Sequence, residues 1–503
     1  MRRLLLAVAG IAALSTASFA SDVRVTGGIV RGQDMPDGSI VFRSIAFAAP
    51  PVGKNRWRPP QPVIPWKGVR DASTAAAPCI QHDEGWNHAD ALAGKEDCLY
   101  LTIHAPKPEA GTKHPVFFWI HGGSNRAGSG YGDADSTMYT QGVVLVSINY
   151  RLGVFGFLAH PGLTAESPKH ASGNYGIMDM IAALKWVKAN IAKFGGDPAN
   201  VTIGGQSAGS NDVGTLLFSP LAHGLFTKAV MESGPAGLSL PPRTLAENEK
   251  IGNDLESLTG THGITALRAL PADTILTAGE SLKPPAPFDS GLIWGQQMID
   301  GYVLREPPLQ LLAEGKQAHV PLIIGDVTRE FPFDGPADAQ IGLVKAMYGS
   351  NADAALRLYG YGPNGNPPDD PVLGSVGTQV LADVIMRCPA NGLAASQTAA
   401  GAKVWRYQFG LPRAGLPWPP AHNAELSYVF ESAPTGSTFA TWPPLQRYWA
   451  NFAATGDPNG PDLPQWPSLG NDRNYLAFTP DGPKPGKDLR GPFCRLLTAP
   501  DAR

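Results

Sequence analysis

The pentapeptide Gly205-Gln206-Ser207-Ala208-Gly209 directly follows the apolar stretch Val201-Thr202-Ile203. A serine with glycine two residues before and two after, set between a buried strand and a helix, forces a sharp turn. Small neighbours allow the serine a strained backbone conformation, with its hydroxyl standing above a sheet. Alone the pentapeptide is weak evidence: with 58 glycines in 503 residues, chance supplies roughly 0.4 copies of Gly-x-Ser-x-Gly. Its flanks decide the reading. Upstream, Ile177, Ile181, Leu184, Val187, Ile191 and Phe194 recur three or four apart, with Lys185, Lys188 and Lys193 on the other face. That periodicity predicts an amphipathic helix over residues 175–194. Gly195-Gly196 stops it, Asp197-Pro198 turns the chain, and a β-branched strand starts at Val201. Residues 211–218 continue as a helix whose N-terminus points at the serine.

The order of helix, turn, strand, serine and helix is that of an α/β-hydrolase. A serine nucleophile needs a base, an acid to hold the base, and donors for the developing oxyanion. In this fold the chain order is serine, carboxylate, histidine. Four histidines follow Ser207: His223, His262, His319 and His422. The first two come too soon, and His319 stands at the start of the apolar run 320–324, whereas catalytic groups sit at the carboxyl ends of strands. His422 lies in a proline-rich loop after the strand-like residues 404–409, where the base belongs. The acid should leave the strand that ends at Ile324-Gly325, and Asp326, Glu330 and Asp334 follow it. Spacing does not choose among them. Residues 116–120 run straight into His121-Gly122-Gly123-Ser124, a turn suited to backbone oxyanion donors, with the N–H of Ala208 as a further donor.

The ends and the composition set the compartment. Arg2-Arg3, an apolar core over 4–14 and the small residues Ser18 and Ala20 form a secretory signal, residues 1–20, with cleavage expected after Ala20. Its core is too short to span a bilayer, and no later segment reaches ~20 uninterrupted apolar residues. The expected product is therefore soluble, exported to the periplasm or beyond. With 40 basic against 43 acidic residues and a net charge of −3, nothing favours nucleic acid or an anionic membrane as partner. No repeat or polar linker divides the chain, so residues 21–503 read as a single domain. Four cysteines in an exported chain predict two disulfides, with three pairings open. Cys79 with Cys98 is the most local, closing the polar loop 80–97 for about 3 kcal/mol; Cys388 with Cys494 would then pin the C-terminal tail. No Cys-x-x-Cys spacing or cysteine–histidine cluster points to a metal.

With these motifs placed, the chain resembles the type-B carboxylesterases, the cholinesterase-like branch of the α/β-hydrolases. The likeness rests on Ala49-Pro50-Pro51-Val52-Gly53, Glu96-Asp97-Cys98-Leu99-Tyr100-Leu101, His121-Gly122-Gly123, Asn149-Tyr150-Arg151-Leu152-Gly153, Gly173-Asn174-Tyr175-Gly176 and Phe194-Gly195-Gly196-Asp197-Pro198 leading to Ser207. Thr455-Gly456-Asp457-Pro458-Asn459 and Trp466-Pro467 are similar to the family's tail. The resemblance implies Glu330 as the acid, since it follows Ile324-Gly325 as the family's glutamate does. It also implies His422 as base, the N–H groups of Gly123 and Ser124 as oxyanion donors, and pairings Cys79–Cys98 and Cys388–Cys494. Arg56–Glu96 and Arg151–Asp179 become structural ion pairs, and Ser233 a serine near the histidine.

Three departures stand out. Ser124 and Asn125 replace a third glycine and an aromatic; if Ser124 needs a positive φ, the side chain costs ~1 kcal/mol. Gln206 replaces a glutamate before the nucleophile, removing a negative charge beside the site. Phe331 replaces a glycine after Glu330. Trp86, in the loop between Cys79 and Cys98, is a candidate substrate contact, and Arg126 a candidate reader of a substrate carboxylate. The expected activity is ester hydrolysis through an acyl-enzyme, with no cofactor. A lipase of longer acyl chains and a non-catalytic binding module are the alternatives.

Overall fold

The computed structural model describes residues 21–497, apart from 133–135, 239–240, 284–293, 295–296 and 363–364. The signal assigned to residues 1–20 and much of the loop 280–300 lie outside the described residues. Eleven described strands form one sheet: β1 (Gln33–Asp34), β2 (Ile40–Ala46), β3 (Tyr100–Ala105), β4 (His114–Ile120), β5 (Val144–Ile148), β6 (Gly196–Gln206), β7 (Lys228–Glu232), β8 (Leu322–Val327), β9 (Val404–Phe409), β10 (Asn474–Thr479) and β11 (Gly482–Lys487). Their spatial order is β11-β10-β9-β8-β7-β6-β4-β5-β3-β2-β1. Pairing is parallel from β10 through β6 and β4 to β5, and antiparallel at both flanks.

Both faces of the sheet are covered. On β4, Val116, Phe118 and Ile120 enter the core beneath the helices Tyr175–Asn190 and Ala208–Phe218. Phe117 and Trp119 enter the opposite core, shared with the helix Leu445–Thr455. A strand buried on both faces reads as a continuous apolar run, which is why β4 shows no alternation in sequence.

The Tyr175–Asn190 helix gives way to a 3₁₀ turn, Ile191–Phe194, and stops at Gly195 with φ 79°, as its periodicity predicts. Two boundaries differ from expectation. The helix after the nucleophile begins at Ala208, not at residue 211, because the turn is so tight that Ser207 itself is the cap. β8 runs on to Val327, so Asp326 lies inside the sheet. Disulfides join Cys79 to Cys98 and Cys388 to Cys494, and Arg56–Glu96 and Arg151–Asp179 are bidentate pairs, the first part-buried and the second buried. No helix among the described residues is long and apolar enough to cross a membrane.

Candidate active site

In an open α/β sheet, ligands bind beyond the carboxyl ends of the strands, where the chain order reverses. Here that point lies at β4, with β5 on one side and β6 on the other. The carboxyl ends of β4, β6, β8 and β9 lead respectively to the His121–Ser124 turn, Ser207, Glu330 and the loop of His422.

At the end of β6, Ser207 has φ 58° and ψ −123°, a conformation costly for any residue with a Cβ. The flanking glycines make the turn possible. A Cβ on Gly209 would lie 2.1 Å from the Ile120 carbonyl oxygen, and one on Gly205 would lie 2.5 Å from the Gly209 carbonyl. Strand and helix therefore close onto β4 only with hydrogen at both positions. Ala208 opens the helix, so its N–H has no partner within it. The turn after β4 is equally constrained, with φ of 102° at Gly123, 55° at Ser124 and 54° at Asn125. Ser124 thus does occupy a left-handed position, at the steric cost expected for a side chain there.

Glu330 is buried and accepts the Val327 N–H at 2.9 Å through Oε1. Its Oε2 lies 2.5 Å from His422 Nδ1. That bond fixes the tautomer: Nδ1 donates to the carboxylate and Nε2 keeps its lone pair. Burial lowers the His422 pKa, but the Glu330 hydrogen bond and the charges of Glu330 and Glu425 outweigh it, so the net shift is upward. Phe331 packs on the imidazole with ring centroids 5.0 Å apart, which explains a bulky residue at that position. Asp326 is elsewhere occupied: it faces the buried guanidinium groups of Arg406 and Arg387.

Gln206 has a role that sequence reasoning did not foresee. Its Nε2 lies 3.2 Å from His422 Nε2, donating to the lone pair that would take the serine proton. A glutamate in its place would put a second carboxylate beside the imidazole and favour the imidazolium. Gln206→Glu should therefore move the acid limb of kcat/KM to higher pH, read from a pH–rate profile between pH 5 and pH 9; an unmoved or lowered limb contradicts it.

Ser207, His422, Gly123, Ser124, Ala208 and Gln206 line one cavity of about 800 Å³. Phe331, Leu381, Ile385, Met386 and Leu426 give it an apolar side. Glu84, Trp86, Asp90, Arg126 and Tyr131 give it a polar and aromatic one. Trp86 is 66% exposed, and its ring tip lies 3.3 Å from where a Cβ on Gly123 would stand. It therefore sits against the oxyanion turn. Arg126 pairs with Glu84 at 2.9 Å and with Glu280, which offsets the charge it would offer a substrate carboxylate. Ser233 adopts φ 50°, and its Oγ has no hydrogen bond among the described residues, so it supports the histidine through no side-chain bond.

A sequence profile of the carboxylesterase family matches residues 20–496, and the chain belongs to that family. It is a carboxylic ester hydrolase of the α/β-hydrolase fold. It is similar to the fumonisin B1 esterase of Sphingopyxis macrogoltabida, at 38% identity over 400 residues covering 77% of this chain and 71% of that protein. The para-nitrobenzyl esterase of Bacillus subtilis (strain 168) is 33% identical over 401 residues, 77% of this chain and 78% of that protein. Among solved structures, a thermophilic para-nitrobenzyl esterase superposes with a TM-score of 0.80 at 28% identity, covering 95% of this chain and 99% of that one.

Proposed function

We propose that the protein is an exported serine carboxylesterase that works through an acyl-enzyme. The observation that carries the mechanism is the 2.5 Å contact between Glu330 Oε2 and His422 Nδ1, which leaves the basic lone pair on Nε2, in the cavity that Ser207 also lines. Ser207 Oγ attacks the ester carbonyl as His422 Nε2 takes its proton, and Glu330 stabilises the imidazolium. The N–H groups of Gly123, Ser124 and Ala208 receive the oxyanion, each contributing about 3–4 kcal/mol to the barrier reduction. His422 then gives its proton to the departing alcohol. In the second half it removes a proton from water, whose oxygen attacks the acyl carbon and frees Ser207. Before attack, the Gln206 amide must release Nε2 to the serine hydroxyl; catalytic hydrogen bonds often tighten only with substrate bound.

Two disulfides support an oxidising compartment. A cavity of about 800 Å³ suits a drug-sized ester better than a very small one, in keeping with relatives named for fumonisin B1 and para-nitrobenzyl esters.

The test is hydrolysis of a short-chain aryl ester before and after treatment with an organophosphonate. Loss of activity with one label on the Ser207 peptide is expected. Folded protein that neither turns over nor takes the label overturns the proposal in favour of a binding module.

A further inference from the structure

Beneath the oxyanion turn lies a buried acid that the mechanism above leaves unused. Asp212 sits on the helix Ala208–Phe218, five residues beyond the nucleophile, and is fully buried. Its Oδ1 accepts a hydrogen bond from Asn125 Nδ2 at 3.3 Å and another from Gln297 Nε2. Its Oδ2 has no partner among the described residues. Asn125 immediately follows the donor Ser124 and is itself fully buried, in a left-handed conformation with φ 54°. Its carbonyl accepts the Gly153 N–H at 2.6 Å. Its Oδ1 lies 3.1 Å from the Tyr150 hydroxyl, which is also 2.9 Å from the His121 carbonyl. The last residue of a strained turn is thus held from both ends of its side chain, by Tyr150 and by Asp212. Gln297, the other donor to Asp212, lines the catalytic cavity.

We propose that Asp212 is a positioning residue of the oxyanion hole, acting through Asn125 on the turn that presents the Gly123 and Ser124 N–H groups, and through Gln297 on the adjoining wall. This rests on the assignment of those N–H groups as oxyanion donors. Without the Asn125 side chain, only backbone among the described residues holds two consecutive non-glycine residues at positive φ, and the N–H vectors are free to drift from the oxyanion position. Donors of this kind stabilise a transition state only while they are preorganised.

The chemistry of Asp212 gives the link a measurable signature. Burial pushes its carboxyl up to about 8, against the smaller opposing pull of the Asn125 and Gln297 hydrogen bonds. The groups facing it leave the charge uncompensated. From the turn, burial holds His121 down at about 4, so it is neutral; from the segment after β5, burial holds the Tyr150 phenol protonated; Asn125 and Gln297 are neutral amides. No lysine or arginine acts on it among the described residues. Near neutral pH the acid carries its proton. Above that, an unpaired carboxylate develops beneath a site that must accept a second negative charge.

The experiment is the pH–rate profile of kcat and KM on an aryl ester for the parent, Asp212→Asn and Asn125→Gly. In the parent, kcat should fall about tenfold on the alkaline side as Asp212 ionises, with KM within ~2-fold, because the loss is confined to the transition state. Asp212→Asn keeps the Oδ1 acceptor but cannot ionise, so its kcat should stay flat from pH 7 to pH 9.5 whatever its level at pH 7. Asn125→Gly accepts the positive φ but cuts the link, and should lose at least ~10-fold in kcat at pH 7. A parent without the alkaline fall, an Asp212→Asn that retains it, or an Asn125→Gly with unchanged kcat overturns the proposal. Should Asp212→Asn fail to fold, the parent profile and Asn125→Gly still decide. An active, phosphonate-labelled parent that shows any of these contrary results defeats this inference alone; an unlabelled, inactive parent defeats the reading beneath it.

Discussion

Ser207→Ala should lower kcat on an aryl ester by on the order of 10⁵- to 10⁶-fold, the loss typical when a triad nucleophile is removed. The residual rate comes from substrate binding and the oxyanion donors, which are backbone groups and survive the change. The fold should survive too, since alanine keeps the backbone of the turn and removes only an oxygen from the cavity wall. Ser207→Gly separates chemistry from strain. Both variants lack the nucleophile, but glycine accepts φ 58° and ψ −123° without a Cβ in conflict with its own backbone, a relief of about 1–2 kcal/mol. The glycine variant should therefore melt above the alanine variant, while both stay inactive and unlabelled by phosphonate. Calorimetry and a single-turnover assay on the same samples settle both points, and Ser207→Ala turnover above ~1% of the parent would move the nucleophile to another residue.

The second large effect is a contrast between two acids four residues apart. Glu330→Gln removes the acceptor that holds His422 Nδ1 at 2.5 Å, and should cost about 10³- to 10⁴-fold in kcat/KM with little loss of stability. The Glu330 hydrogen bond and charge are the leading causes raising the His422 pKa. Without them the acid limb of the residual activity should shift to lower pH. Asp326→Asn should do the opposite. Asp326 is buried between Arg406 and Arg387, and Arg387 also holds Asp383 at 2.9 Å. Withdrawing the central carboxylate leaves two arginines short of charge in the interior, a loss of about 3–5 kcal/mol. The folded fraction should retain activity within about tenfold, because no atom of Asp326 touches His422. Urea melts beside kcat/KM for the two variants check both halves, and a stable but inactive Asp326→Asn would make Asp326 the acid.

That contrast marks where sequence stops. Hydrophobic period, the glycine spacing and chain order placed Ser207, His422 and the His121–Ser124 turn, because each depends on local geometry: a strand end, a tight turn, a helix start. Glu330 was reached only through resemblance. Spacing left Asp326 and Glu330 level, and the difference is that β8 runs two residues beyond Gly325, carrying Asp326 into the sheet among arginines from 387 and 406 while Glu330 clears the edge.

The surroundings of the site were the least legible part. Asp212 had no place in the sequence reading, because its partners, Asn125 and Gln297, lie 87 and 85 residues away. Nor did spacing reveal that Gln206 reaches His422, 216 residues on, or that Arg126 pairs with Glu84 and Glu280. The sequence by itself determined the fold and pointed to Ser207, His422 and the His121–Ser124 turn as candidate machinery, because backbone sterics and hydrophobic period act over a few residues. That Glu330 rather than Asp326 contacts His422, that the Gln206 amide reaches its Nε2 and that Arg126 pairs with Glu84 and Glu280 come from the tertiary structure, because burial and hydrogen bonding join residues that no local rule relates.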